Sequence, residues 1–365
     1  MRYVDPVTGD SKRVSVYGKT SAECRAKLKA VLERIDEGAP ARDAKDTVGA
    51  WMKRWRTTSL EASDRAHTTR QLYAHISINH LEQGPIADMR LDKLRPTDVE
   101  ALVVTLRKRY ADSTVRSIYT VLRAGLDGAV RDGLLASNPA TKVQRPRVEQ
   151  DESRVLTPSE VSELLAKART SRYYACVLIM AHTGLRRGEA AALRWVDIDF
   201  AKRELRVAHT LARVDGTLTL TTPKTRKSRR RVPMTAELID ALREQRQRQR
   251  EERLRAGAVW AGRDDMVFTN ELGDYVSPTN LLPVVQEAAK AAGLGDDVTP
   301  HTLRHSAATA WLEAGIHIRA VADLLGHTSI TTTGNLYGHT TPHQARSAVD
   351  ALALAMGVPK GRTGS

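Results

Sequence analysis

The sequence predicts a mainly α-helical, multidomain chain carrying small β-sheets, and three observations lead there. Apolar residues recur at three- and four-residue spacing through most of the chain, the period of an amphipathic helix. Strand-like pieces are confined to the first 18 residues and to the stretch 203–234. Polar joins without periodicity fall near 42–46 and 143–158. A chain of 365 residues is long enough for two or three domains, each burying its own core.

Residues 1–44 read as a ββα module. MRYV and SKRVSVYG flank DPVTGD, whose proline and glycine suit a turn, and Thr20 or Ser21 then caps a helix over SAECRAKLKAVLERIDEG. Lys12, Arg13, Lys19, Arg25, Lys27 and Lys29 gather there, as readable as a solvated face as an anion contact. Residues 45–142 carry four amphipathic segments: VGAWMKRWRTTS, TTRQLYAHISINHL, RPTDVEALVVTLRKRY and STVRSIYTVLRAGLDGAVRDGL, with Thr97 or Ser113 as caps. They predict a four-helix domain whose Arg70, Arg109, Arg116 and Arg123 serve equally as solvated residues or phosphate contacts. The polar run 143–156 reads as a linker.

A third domain is expected over 157–350, opening with the helix start Thr157-Pro158-Ser159-Glu160. The apolar helix YYACVLIMAH leads to a turn at Thr183-Gly184, then to a helix GEAAALRW. Three strand pieces follow, RELRVAHTL, GTLTLTT and RRRVPM, with turns at Val214-Asp215-Gly216 and PKTRKS. The helix that begins TAELIDAL continues into REQRQRQREERLR, which has almost no apolar residue and is expected to be exposed. Residues 351–365 read as a C-terminal tail, and ARSAVDALALAMGV brings Ala345, Val349, Leu352 and Met356 near one helix face.

The formal net charge of +14 and a pI near 9.9 suit a polyanion partner, nucleic acid above all. A membrane role is disfavoured, because the apolar run at 173–181 spans only nine residues. The start lacks the basic and apolar regions of an export signal, and Cys24 and Cys176 cannot make a disulfide framework. Both points lead to the expectation of a cytoplasmic protein.

Two stretches hold the residue types of an anion-handling site. In Thr299–His339, Pro300 suits a first helical position and Thr299 a cap, so His301 and Arg304 share one face of the first turn. Unpaired backbone N–H groups there favour an anion, typically a phosphate. A second short helix, IRAVADLL, ends at Gly326, and His327 emerges from that turn. Tyr337 follows ten positions later, beyond TSITTTGNL, whose helix preference is weak. Upstream lies TGLRRGE, Thr183–Glu189.

This ordering resembles the tyrosine recombinases, or phage-type integrases. HTLRH, LGHTSI, NLYGH and TGLRRGE carry the resemblance, and four motifs in order are far more specific than one. It implies a catalytic set of Arg186, Lys224, His301, Arg304, His327 and Tyr337, with Glu189 orienting Arg186. Lys224 in TPKT matches the family's lysine turn, and Lys227 is its rival in a run of basic residues. The implied activity is site-specific recombination through a 3′-phosphotyrosine, integrating or excising a phage or mobile element without cofactor or metal. The implied partners are double-stranded DNA at core and arm attachment sites, three further copies in a synaptic homo-tetramer, an excisionase and a host DNA-bending protein. In these terms residues 1–44 correspond to an arm-binding module whose first strand is missing or lies upstream, 45–142 to the core-binding domain, and 157–350 to an α+β catalytic domain.

Three alternatives compete with it. A chromosome-dimer resolvase or a type IB-like topoisomerase would share the catalytic residues but need no arm-binding module. A catalytically silent DNA-binding protein would not need all six residues. A zinc site of His301, His305 and His327 lacks a Cys or helix-spaced Glu, and Arg304 between the first two favours an anion. His305 is expected to point away from Arg304, and His305, His317, His339 and His343 to serve packing or structural hydrogen bonds.

Overall fold

The computed structural model describes residues 2–4, 11–13, 15–36, 46–148, 154–222 and 228–327. The chain divides into two compact units, Met1–Gln150 and Asp151–Ser365.

In the first unit, strands β1 (Arg2–Val4) and β2 (Ser11–Arg13) pair antiparallel with Tyr3 opposite Lys12. Helix α1 (Ser21–Asp36) is capped by Thr20, whose hydroxyl accepts from the Glu23 N–H at 3.2 Å, while the Glu23 carboxylate accepts from the Lys19 N–H at 2.8 Å. Four helices follow: α2 (Val48–Trp55), α3 (His67–Ile76), α4 (Pro96–Arg107) and α5 (Asp112–Arg131). The 20-residue α5 buries Val115, Ile118, Tyr119, Leu122 and Leu126 against Trp51, Met52 and Trp55 of α2. Gly125 and Gly128 make this packing possible. A Cβ at either would lie 2.4 Å from the Met52 sulfur or 2.8 Å from the Trp55 ring, and the Trp51 indole donates to the Gly125 carbonyl at 2.8 Å.

Two local expectations are corrected here. Helix α4 begins after Arg95, whose N–H donates to the Asp98 carboxylate, and α5 begins after Ala111 with no side-chain cap, so neither Thr97 nor Ser113 is the cap residue. Helices α2 and α3 also end in π-helical turns, Arg56–Leu60 and Ser77–Leu81. In the first of these turns the hydroxyls of Thr57 and Thr58 donate back to carbonyls of Lys53 and Arg54, which bends a helix. The Arg56–Glu82 pair, 2.6 Å, ties the two turns together.

In the second unit, α6 (Pro158–Ala168) starts with a reciprocal cap between Thr157 and Glu160. Helix α7 (Tyr174–Thr183) is buried nearly all round and forms the centre of the core, with α9 (Ala236–Ala256) and α11 (Pro300–Glu313) packed on it. The short α8 (Arg187–Ala191) follows α7 directly. Strands β3 (Ile198–Asp199), β4 (Glu204–Val207) and β7 (Arg230–Pro233) form an antiparallel sheet in the order β3-β4-β7. Strands β5 (Thr210–Val214) and β6 (Thr217–Thr221) form a separate hairpin. Its two-residue turn, Asp215-Gly216, has positive φ at both positions, as a tight hairpin twist requires.

RELRVAHTL therefore makes two strands where one was expected. The partner β7 has only four residues and runs out at the Val207–Arg230 pair, so the chain beyond takes β6 as its partner. Helix α9 also differs from expectation. Its second half has a buried polar face: Glu252 pairs with Arg172, Gln245 donates to the Val267 carbonyl, and Gln249 accepts from the Trp195 indole. Hydrogen bonding, not apolar content, allows that face to be covered. Helix α10 (Leu281–Ala291) packs on α6, and α12 (Ile318–Leu325) covers α11 through Val321 and Leu325. Among the described residues, no helix is long and apolar enough to cross a membrane.

Candidate active site

The site is assembled around the C-terminal end of α12. A helix leaves its last carbonyls without intrahelical partners, and its dipole makes that end negative. Three arginines from three other elements meet these carbonyls. Arg230, on β7, donates its Nε to the Leu324 carbonyl. Arg304, on α11, donates Nη2 to the Leu325 carbonyl at 2.8 Å, and Arg186 reaches the same oxygen at 3.4 Å. The helix then turns out through Gly326, whose φ of 67° is the left-handed conformation glycine tolerates best.

Arg304 is fixed before any ligand arrives. It sits within the first helical turn after the Thr299 cap and Pro300, and it is only 3% exposed. Its Nη1 donates to the Gly184 carbonyl at 2.6 Å, and its Nη2 lies 2.8 Å from Nε2 of His327. A guanidinium can only donate, so Nε2 is the acceptor and the neutral His327 ring carries its proton on Nδ1. Burial, then the charges of Arg304, Arg186 and Arg230, depress the His327 pKa to about 4, which keeps the ring neutral at pH 7.

Arg186 projects from the turn after α7, where Gly184 has a φ of 61° and a Cβ would meet Leu325 at 2.7 Å. Its backbone N–H and its Nη1 both donate to Glu189, at 3.1 and 3.0 Å, and its side chain remains 45% exposed. The Glu189 carboxylate is buried and shared, because Arg230 holds it from the other side at 3.0 Å. Burial works to raise the Glu189 pKa, but Arg230 and then Arg186 outweigh it and hold the group ionised.

His301 is exposed on the first turn of α11, and its ring meets that of His305 edge-on at 4.3 Å between centroids. Burial, then Arg304 and Arg186, lower the His301 pKa; burial, then His301, lowers that of His305 to about 4. His305 thus does not point away from the site, since residues four apart share a helix face. His317 accepts from the Arg319 N–H at 3.2 Å at the start of α12.

Of the six residues expected to act, Arg186, His301, Arg304 and His327 are brought together. Lys224 and Tyr337 lie outside the described residues, as do Lys227, His339 and His343. Among the described residues, no group of three or more His, Cys, Asp or Glu is placed to hold a metal ion. Arg230 was missed in the sequence, although a signal was present. Strand side chains alternate, and Val232 has to face the core, so Arg230, two residues earlier, faces inward too.

Guanidinium groups and neutral imidazoles gathered at the end of α12 are a donor set suited to a phosphate ester. A profile of the phage integrase family matches residues 154–344. The chain is 32% identical over 358 residues to a protein described as tyrosine recombinase XerC-like, from Caldanaerobacter subterraneus subsp. tengcongensis, covering 93% of this chain and 91% of that one. It belongs to the phage integrase family and is a tyrosine site-specific recombinase. Its fold is similar to that of the Tn1549 transposon integrase in complex with transposon right end DNA, with a TM-score of 0.71 at 23% identity over 84% of this chain and 99% of that one. It is also similar to the lambda integrase tetramer bound to a Holliday junction, with a TM-score of 0.63 at 18% identity over 92% and 91% of the two chains.

Proposed function

We propose that the enzyme integrates and excises a phage or other mobile element, using Arg186, Lys224, His301, Arg304, His327 and Tyr337 as its catalytic residues. The observation that carries this reading is the Arg186–Arg304 pair converging on one carbonyl, beside an imidazole held neutral. Two guanidiniums in that arrangement neutralise the non-bridging oxygens of a scissile phosphate, and more strongly as charge grows toward the five-coordinate transition state. His301 and the Nδ1–H of His327 add hydrogen bonds. A phenol has a pKa near 10, so only about a thousandth of Tyr337 ionises unaided at pH 7. The positive surroundings lower that barrier. Tyr337 passes its phenolic proton to the neutral His301 ring and attacks phosphorus in line, a 3′-phosphotyrosine forms, and the departing 5′ oxygen takes its proton from Lys224. A 5′ hydroxyl of a partner duplex reverses the step on the new strand, so the ester bond carries the energy for rejoining.

In this reading residues 1–44 hold arm DNA, 45–142 and 157–350 hold core DNA across the 143–156 linker, and 351–365 form a tail. Four copies act on one junction in the cytoplasm, with an excisionase and a host DNA-bending protein as accessories. Support for the tetramer comes from the likeness to the lambda integrase assembly, and for the mobile element from the Tn1549 integrase fold. The likeness to a XerC-like protein over nearly the whole chain favours a second reading, the resolution of chromosome dimers.

A nicked duplex spanning the junction of the encoding element with its chromosome tests the proposal. The full chain should trap a covalent adduct, and Tyr337→Phe should bind the duplex without forming one. An adduct with Tyr337→Phe would remove Tyr337 from its role. Failure of the full chain to join two such junctions, with resolution of a chromosomal dimer site instead, would move the function to the second reading.

A further inference from the structure

We infer that Arg230 is a positioning residue for the recombination reaction, holding Glu189 and the end of α12 so that Arg186 and His327 face the phosphate together. The inference rests on the reading of the site given under Proposed function. Arg230 itself is no phosphate ligand. Its side chain is 6% exposed, and its donors go to protein acceptors on three elements. Nη2 holds Glu189 at 3.0 Å, Nε holds the Leu324 carbonyl, and Nη1 reaches the Ser228 carbonyl at 3.2 Å. That last bond anchors the chain at the start of β7, which follows Lys224 closely in the sequence.

Sharing of Glu189 gives Arg230 its influence over Arg186. The Arg186 guanidinium takes Oε1 at 3.0 Å and its backbone N–H takes Oε2 at 3.1 Å, while Arg230 holds Oε2 at 3.0 Å and reaches Oε1 at 3.4 Å. Without Arg230, a buried carboxylate would be left with a single cation, and the half-exposed Arg186 guanidinium, which now bonds one oxygen, would be drawn in over both. Its guanidinium would then turn from the phosphate. At the other end, the Arg230 guanidinium lies against Gly326, where a Cβ would come within 2.8 Å of Nη1. The guanidinium therefore supports the turn from which His327 emerges. A lysine can keep the charge but not the fork that spans Glu189 and Leu324.

The test uses the full chain and the nicked junction duplex, made with either a phosphodiester or a methylphosphonate at the scissile position. Methylphosphonate carries no charge, so it has little need of Arg186. Arg230→Met should bind the duplex within about threefold of the unchanged chain and form the adduct on the phosphodiester about 100-fold more slowly. On the methylphosphonate its deficit should shrink to about tenfold or less, and Arg230→Lys should fall between the two proteins. Should Arg230→Met fail to fold, Arg230→Lys decides by the same ratio. An equal deficit on both linkages would mean a structural role alone and would overturn the inference, as would a deficit under about threefold on the phosphodiester. Absence of an adduct with the unchanged chain would overturn the reading of the site and this inference with it.

Discussion

Among individual residues, the histidines make the site sensitive to acid. His305 and His327 have pKa values of about 4, well below the usual 6.5 of an exposed imidazole, chiefly because burial penalises the charged ring. The unfolded chain therefore takes up protons at these positions first as pH falls. Stability from the neutral rings is fully present above about pH 6.5 and is lost progressively as pH falls toward 4. The melting temperature should fall between pH 6.5 and 5, before most carboxylates titrate, and His305→Asn should flatten that fall. A flat profile for the unchanged chain across this window would show that neither ring is held neutral. At the same scale, His301 and Arg304 could be read from their spacing behind Thr299-Pro300, because a capped helix start fixes which residues share its first turn. Arg304's ties to Gly184, Leu325 and His327 could not, since they join segments up to 120 positions apart.

Among the elements, the end of α12 organises the proposed site. Gly326→Ala adds strain at a positive φ and a methyl group 2.8 Å from the Arg230 guanidinium. It should destabilise the protein by about 1–2 kcal/mol in a urea titration and slow adduct formation by more than that loss explains. A rate unchanged from that of the parent would mean that the turn does not set the position of His327. Element starts were often legible: Thr157 and Thr299 cap helices where the sequence placed them, Thr20 is one of the two caps it offered for α1, and Asp215-Gly216 makes the expected hairpin turn. These are local signals, complete within four residues. Strand ends were not legible in the same way. RELRVAHTL alternates without a break, and only the short length of β7 divides it. The inner face of α9 was hidden for a related reason, since a glutamine or glutamate is buried only where a distant partner such as Arg172 or Val267 meets it.

In the whole molecule, a net charge of +14 spread over two compact units implies binding dominated by the DNA backbone. Affinity for the junction duplex should fall linearly on a log–log plot against salt, with a slope of about −0.9 for each phosphate neutralised. A fragment of residues 157–365 should show a smaller slope than the full chain. Equal slopes would mean that the helical unit contributes no phosphate contacts.

The same excess of positive charge exists in miniature inside the site. Arg186 and Arg230 share one buried carboxylate, Glu189, and all three arginines, with Arg304, meet the end of a short helix. Arg230 and Arg304 are bonded into the fold, whereas Arg186 is half exposed and the least tightly held. Arg186 therefore stands among like charges with one carboxylate to offset them, a repulsion that a bound anion would reduce. With Arg186 acting on the phosphate as proposed, selection for heat resistance alone would favour discharging that one residue, and would yield sturdy proteins that grip DNA and never cut it.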